Sequence, residues 1–287
     1  MSLQSIGLDK RTTHVGFADE AYWSRGEYRA VACVSARRGD YREVERRLCA
    51  SRCDAGAIVS EIKWKDLNNN RRQRDAASVL EAAVSLAANR ELHIDVLVWN
   101  QQARNFMNRL RGGRGKRNSM HLQMMYGSLF LRVISRWRTA EGSVAPFWTL
   151  APDRHTGLDF PALQNEIRGS METAVHSTIE VRDIKESLNY SIQLADLLAG
   201  MAAFSHQYSD DYETWLGLGK QLDLRLTAPQ WSTRFPLLDL FSRLCQASDL
   251  GPTMLSDNPA FPGRGLWTQE PGVTHHTIDF QPFTPSP

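Results

Sequence analysis

The chain lacks the features that mark secreted, disulfide-bonded or membrane proteins. Its 287 residues contain four cysteines, too few for a disulfide framework. Cys49 and Cys53 are four residues apart, but no second pair at metal-ligand spacing follows, so buried thiols are favoured over a zinc site. No apolar run is long enough to span a bilayer, and residues 1–13 contain no apolar signal core. We therefore expect a cytoplasmic globular protein.

Acidic residues are missing from one long stretch. Residues 101–140 contain nine Lys or Arg and no Asp or Glu, although the net charge of the chain is only +2. Arginine supplies 28 of the 34 basic residues in the chain, a preference that a coding bias explains without any function. The local lack of acids is harder to explain in that way, and guanidinium groups pair well with phosphate oxygens.

The basic stretch predicts a surface that binds the nucleic-acid backbone. Glycines lie between the cations of residues 101–118, a pattern typical of a mobile loop, and a helix is predicted over 119–138. The open alternatives are a protein-binding loop and a solvated one. The candidate nucleic-acid contacts are Arg104, Arg109, Arg111, Arg114, Lys116, Arg117, Arg132 and Arg136.

Hydrophobic periodicity predicts strands alternating with helices after an initial hairpin. The predicted strands cover residues 14–19, 27–36, 57–62, 92–99, 143–150 and 178–183. The predicted helices cover residues 40–52, 68–89, 119–138, 158–171 and 188–206. This order is typical of an α/β fold with a mixed sheet covered by helices.

The composition of the sequence changes after residue 206. Helices are predicted at 210–224 and 236–250, whereas seven of the twelve prolines follow position 250, which favours irregular chain. We therefore divide the chain into a domain of residues 1–206 and a C-terminal extension of residues 207–287, partly helical and then irregular.

An isolated carboxylate lies within the last apolar stretch of the domain. Residues 189–200 have the sequence N-Y-S-I-Q-L-A-D-L-L-A-G and predict a buried helix with Asp196 near its centre. A buried carboxylate costs free energy unless a partner compensates it. A hydrogen-bond network, a cation or a metal ion would do so, which makes Asp196 the strongest single candidate for a functional residue.

Other acids lie where predicted strands end. Asp19 ends the first strand, Glu61 ends the third, and Asp153 follows the fifth. Acids from neighbouring strand ends can meet at one edge of a sheet, where their oxygens would suit Mg²⁺ or Mn²⁺. Lys63 would hold a phosphate oxygen or neutralise part of such a cluster. Each residue also has a structural alternative: Asp19 as a turn cap, Asp153 as the start of a loop or helix, and Glu61 with Lys63 as an exposed pair.

Four motifs in this order carry a resemblance to a known family. They are Phe17-Ala18-Asp19-Glu20, Glu61-Ile62-Lys63, Asp153-Arg154 and the run from Ile192 to Gly200. In them the chain resembles, over residues 13–206, the bacterial and phage family known as domain of unknown function 3800. The last motif is the specific one. The chain departs from the family at Ala21-Tyr22, where members have Ser-Gly, and the extension has no counterpart.

The resemblance implies a ribonuclease H-like fold with an acidic metal site. Asp19, Asp153 and Asp196 become the expected metal ligands, with Glu61 as a fourth candidate and Glu20 as a weaker one. Glu61 and Lys63 complete the expected catalytic set. The implied function is a nuclease or related phosphoryl-transfer enzyme that depends on Mg²⁺ or Mn²⁺ and acts on DNA or RNA. The alternative is a non-catalytic nucleic-acid-binding or scaffold protein of a phage-defence or mobile-element system; a homo-oligomer or a protein partner stays open.

Overall fold

The computed structural model describes residues 8–21, 28–54, 61–100, 114–141, 146–153, 158–171, 178–182, 189–218, 231–248, 250–255 and 275–282. In these ranges seven strands form one mixed sheet. The strands are β1 (His14–Ala21), β2 (Tyr28–Arg37), β3 (His93–Asn100), β4 (Phe147–Pro152), β5 (Thr178–Val181), β6 (Leu250–Leu255) and β7 (His275–Pro282). The helices are α1 (Arg38–Asp54), α2 (Asn70–Ala88), α3 (Arg114–Glu141), α4 (Phe160–Ser170), α5 (Tyr190–Gln207), α6 (Ser209–Gly217) and α7 (Trp231–Ala247), with a short 3₁₀ turn at Trp64–Asp66.

The strand order across the sheet is β5-β4-β1-β2-β3-β7-β6. Strands β1, β2 and β3 form an antiparallel meander, whereas β4 runs parallel to β1 and β5 runs parallel to β4. This arrangement of the first five strands is that of a ribonuclease H-like sheet. The predicted α/β class, with a mixed sheet flanked by helices, is confirmed.

Alternate residues of the strands supply two separate apolar cores, one on each face of the sheet. On one face, α1, α2, α5 and α7 pack against side chains such as Val15 and Phe17. On the other face, α3 and α4 pack against side chains such as Ala18 and Leu150. Helix α5 is buried around nearly its whole circumference, which explains why its sequence is apolar on every side.

Polar side chains fix the start of α5. The Asn189 side chain accepts a hydrogen bond from the Ile192 N–H at 2.8 Å and thereby caps the helix. Glu45 on α1 accepts hydrogen bonds from the backbone N–H groups of Tyr190 and Ser191 at 3.0 and 2.9 Å. A carboxylate at this end also interacts favourably with the helix dipole. These contacts fix where along the sheet the later residues of α5 lie.

The structure corrects two expectations about secondary structure. Helix α3 begins at Arg114, so the predicted loop is helical from that residue onward. Residues 61–63 do not belong to a strand, and residues 57–60 of the predicted strand lie outside the described ranges. Among the described residues, no helix is both long and apolar enough to cross a membrane.

The C-terminal extension also contains regular structure where irregular chain was expected. Strand β7 pairs antiparallel with β3, and β6 pairs antiparallel with β7. Pro252 is accommodated because β6 is the last strand of the sheet in the described residues, and a missing N–H is tolerated at an edge. Helix α7 shares the apolar core of α5 through Phe235 and Phe241.

Candidate carboxylate site

Two of the predicted acids lie side by side at one end of the sheet. Ala18 of β1 is paired in register with Pro152 of β4, so the next residues, Asp19 and Asp153, follow at the same ends of parallel strands. The Asp153 N–H donates to the Ala18 carbonyl oxygen at 2.8 Å, which extends the pairing to this position. Adjacent strands are about 4.8 Å apart, so these two backbones are close neighbours.

Asp196 belongs to helix α5, which covers the face of the sheet that carries Asp19 and Asp153. Phe17 and Ala21, two residues before and after Asp19, belong to the core beneath α5, as does Ala151, two residues before Asp153. Because side chains alternate along a strand, Asp19 and Asp153 are on the α5 face of the sheet.

The segment of residues 61–67 contacts α5 beside Asp196. The Trp64 backbone N–H donates to Asp196 Oδ2 at 2.7 Å, and the Ile62 N–H donates to Gln193 Oε1 at 3.2 Å. Lys63 Nζ lies 3.2 Å from Glu61 Oε1. The exposed-pair alternative for Glu61 and Lys63 is therefore partly realised, as an ion pair on a half-buried segment that is not a strand.

Glu20 lies on the opposite face of β1 and joins the site from there. Its carboxylate accepts a hydrogen bond from the hydroxyl of Tyr126, a fully buried residue of α3. The Glu20 N–H in turn donates to Asp19 Oδ1 at 2.7 Å. Glu20 and Tyr126 thus connect the α3 face to the strand end that carries Asp19.

The pKa shifts show that these groups share one electrostatic environment. The pKa of Asp196 is raised to about 6, mainly by burial and to a smaller extent by Glu20, against the opposing effects of the Trp64 N–H, Lys63 and Lys65. The pKa of the Tyr126 hydroxyl is raised far above its ordinary value by burial and by the negative charges of Glu20, Asp19 and Asp153. The acids therefore repel further negative charge, and a cation would relieve that repulsion.

The donor chemistry suits a hard divalent cation, but the side chains are not arranged around one. Carboxylate oxygens are the ligands that Mg²⁺ and Mn²⁺ prefer. Among the described residues, no three His, Cys, Asp or Glu side chains are grouped closely enough to hold a metal ion. The backbone places Asp19 and Asp153 side by side on the face of the sheet that is covered by α5, the helix that carries Asp196.

One of the predicted nucleic-acid contacts serves another purpose. Arg136 forms an ion pair with Asp95 of β3, and the two side chains are 13% and 2% exposed. This ion pair engages the guanidinium, and the role of Arg136 as a nucleic-acid contact stays a prediction. Arg132, one turn earlier on α3, is half-buried and also acts electrostatically on Asp95.

The other predicted contacts are only partly described. Arg104, Arg109 and Arg111 lie outside the described residues. Arg114, Lys116 and Arg117 lie in the first turns of α3, where the backbone alone is described. Their role as a nucleic-acid surface stays a prediction.

Three contributors to the site escaped the sequence analysis: Trp64, Lys65 and Tyr126. A tyrosine on an apolar helical face needs a partner for its hydroxyl, so Tyr126 carried a signal that pointed to a nearby acceptor. Trp64 acts through its backbone N–H, which no side-chain pattern reveals.

Comparison with known proteins gives distant similarity and no established activity. No family model matches the chain. Two uncharacterized proteins of Methanothermobacter thermautotrophicus, ORF2' and ORF2, are each 25% identical to it, over 288 and 294 residues. Each alignment covers 94% of this chain and 94% of the relative, so the similarity includes most of the C-terminal extension.

A solved structure of the PCNA:RNase HII complex from Archaeoglobus fulgidus also resembles the fold. The superposition has a TM-score of 0.40 and 14% sequence identity, and it covers 75% of this chain and 96% of the matched chain. Likeness at this level identifies neither a family nor an activity.

Proposed function

We propose that the protein is a divalent-metal-dependent phosphoryl-transfer enzyme, a nuclease acting on DNA or RNA. The observation that carries the proposal is the placement of Asp19 and Asp153 at adjacent parallel strand ends, beneath the helix that bears Asp196. Its membership of the domain of unknown function 3800 family is part of the same proposal and is supported by the four sequence motifs.

In this proposal Asp19, Asp153 and Asp196 hold Mg²⁺ or Mn²⁺, and Glu20 contributes from the α3 face. A bound ion would stabilise the attacking and leaving oxygens of a phosphodiester displacement. The protein's own part is to concentrate carboxylates in a half-buried place where their repulsion favours a cation. Lys63 and Lys65 supply positive charge beside Asp196, suited to orienting a phosphate oxygen.

The basic stretch of residues 101–140 would supply affinity that is independent of sequence. Affinity from backbone phosphates falls steeply with salt because cations condensed on the nucleic acid are released on binding. A salt-insensitive interaction would instead favour a protein partner for this stretch.

The decisive experiment is a cleavage assay with purified protein, Mn²⁺ or Mg²⁺, and labelled DNA, RNA and hybrid substrates. We expect cleavage of at least one substrate, and a decrease on the order of a hundredfold or more for Asp153→Asn, the scale of losing one electrostatic stabiliser of a transition state. Asp159→Asn is the matched control, because the Asp159 side chain caps α4 by accepting from the Ala162 N–H and asparagine caps equally well.

Two outcomes would contradict the enzymatic proposal. One is the absence of cleavage of every substrate together with no Mn²⁺-dependent rise in melting temperature, which would favour the binding or scaffold alternative. The other is an Asp153→Asn variant that cleaves as well as the Asp159→Asn control.

A further inference from the structure

A buried arginine of the C-terminal extension holds the segment that contacts Asp196. Arg234, in the first turn of α7, is 5% exposed. Its Nη2 atom donates to the carbonyl oxygens of Trp64 at 3.0 Å and Lys65 at 3.3 Å. The hydroxyl of the preceding residue, Thr233, donates to the Leu67 carbonyl oxygen at 3.0 Å. The start of α7 therefore binds three carbonyl groups of the segment 64–67.

The same arginine also encloses the Trp64 side chain. The guanidinium carbon lies 5.1 Å from the Trp64 ring centroid and 5.3 Å from that of Phe204, within the range of cation–π attraction. On the far side Trp64 packs directly on α5 at Gly200, where an added Cβ would lie only 2.2 Å from Trp64 Cγ. The tryptophan is thus fixed between α5 and Arg234.

These contacts act on the peptide whose N–H binds Asp196. The Trp64 N–H meets Asp196 Oδ2 at 2.7 Å, while the carbonyl of the same residue is bound by Arg234. Arg234 is thus connected to Asp196 through the Trp64 backbone.

We propose that Arg234 is a positioning residue, through which the C-terminal extension holds the Trp64 N–H against Asp196 and so completes the carboxylate site. What the site then does rests on the proposed function; the contact itself does not. Helix α7 is accordingly part of the site's architecture and not an appendage to the domain.

Guanidinium chemistry explains why this position needs arginine. Here a single guanidinium nitrogen, Nη2, donates to two consecutive carbonyl groups while the planar group lies against an aromatic ring. A lysine ammonium can also donate to carbonyl groups, but it does not reproduce the planar stacking. We therefore expect Arg234→Lys to fall between the wild type and Arg234→Met.

The test compares Arg234→Met and Arg234→Lys with Arg243→Met, a control on the same helix whose side chain is 62% exposed and bonds Asp239. Two quantities are measured in the full-length protein: hydrogen exchange of the Trp64 amide by NMR, and Mn²⁺ affinity by calorimetry. For Arg234→Met we expect exchange faster and Mn²⁺ binding weaker by on the order of tenfold each, the scale of one lost hydrogen bond to a charged group. Arg243→Met should match the wild type in both.

The two readouts separate this inference from the proposed function. Wild-type protein that binds no Mn²⁺ contradicts the proposed function, yet faster Trp64 exchange in Arg234→Met would still support the positioning role. Trp64 exchange equal to that of Arg243→Met would overturn it. If Arg234→Met does not fold, Thr233→Val removes the Leu67 contact with a side chain of similar shape, and unchanged exchange over residues 64–67 in that variant would also overturn it.

Discussion

Two aspartates on opposite faces of the sheet, the buried Asp95 and the half-buried Asp196, illustrate different ways of accommodating a carboxylate. Asp95 on β3 meets the guanidinium of Arg136, and both side chains are enclosed beneath α3. Asp196 on α5 accepts the Trp64 N–H, has Lys63 and Lys65 as compensating charges, and is opposed by Glu20. Burial raises the pKa of both carboxyls, but the first faces a guanidinium within the fold, whereas the second has a neighbouring acid, Glu20, that raises its pKa further.

This difference distinguishes a structural ion pair from a site prepared for a cation. A direct guanidinium–carboxylate contact leaves little for a ligand to gain, because the charge is already compensated. A carboxyl group with a pKa of about 6 costs more free energy to ionise than an ordinary one. A cation that binds beside it offsets that cost. The predictions below test the contrast, beginning with the largest expected effect.

Arg136→Met should strongly destabilise the fold because it leaves the Asp95 charge enclosed without its partner. The expected loss is about 3–5 kcal/mol in the free energy of unfolding, the usual cost of breaking a buried ion pair from one side. Urea unfolding at pH 7 measures it. Arg138→Met, two residues later at an exposed position, is the control and should change stability by no more than about 0.5 kcal/mol. Equal stability of the two variants would show that the Arg136–Asp95 ion pair does not stabilise the fold.

Asp196→Asn should stabilise the metal-free protein at alkaline pH or leave its stability unchanged. The folded-state pKa of about 6 lies above the ordinary 3.8, so the charged form costs at most about 3 kcal/mol above pH 6, and this cost disappears as the pH falls toward 4. An asparagine avoids the cost and still offers an oxygen to the Trp64 N–H. The advantage of the variant should therefore be present at pH 8 and absent at pH 4.

Urea unfolding of both proteins at the two pH values checks this prediction. In addition, Mn²⁺ should raise the melting temperature of the wild type and not that of Asp196→Asn. An Asn variant that is less stable than the wild type at pH 8 would place Asp196 with Asp95 as a structural residue.

Lys63→Met should have the smallest effect on stability and a specific effect on pH dependence. The Lys63–Glu61 pair is about one-quarter exposed on both sides, so its loss costs at most about 1 kcal/mol. Lys63 also holds down the pKa of Asp196, so the variant should shift the pH-dependent loss of stability upward from pH 6. The shift should be absent when Lys63→Met is combined with Asp196→Asn, and a persisting shift would assign it to another group.

The contrast between the two aspartates also shows where sequence reasoning succeeded. The apolar surroundings of Asp196 distinguished it, because an all-apolar helix must be buried and its one carboxylate must be compensated. Asp95 was predicted on the polar side of its strand and gave no such signal, although its sequence neighbours Ile94 and Val96 are apolar. Arg136 belongs to a stretch without acids, yet its partner is 41 residues away on β3.

The segment 61–67 and the C-terminal extension also show that local sequence patterns do not predict structure that depends on distant contacts. Glu61 and Lys63 were placed on a strand because their neighbours are apolar, but the segment is held by contacts from α5 and α7. Strands β6 and β7 were not predicted because prolines discourage strands locally. Pro252 is tolerated because β6 is the last strand of the sheet in the described residues, and Pro282 is the final residue of β7.

The sequence by itself determined the α/β class, the approximate limits of most helices and strands, and the exceptional position of Asp196. These properties follow from local periodicity, because burial of one face repeats every two residues in a strand and every three or four in a helix. Only the tertiary structure decided which charged and polar groups meet. The Trp64 N–H reaches Asp196 across 132 residues, and Arg234 reaches Trp64 across 170. Such contacts depend on the path of the whole chain, which no local pattern encodes.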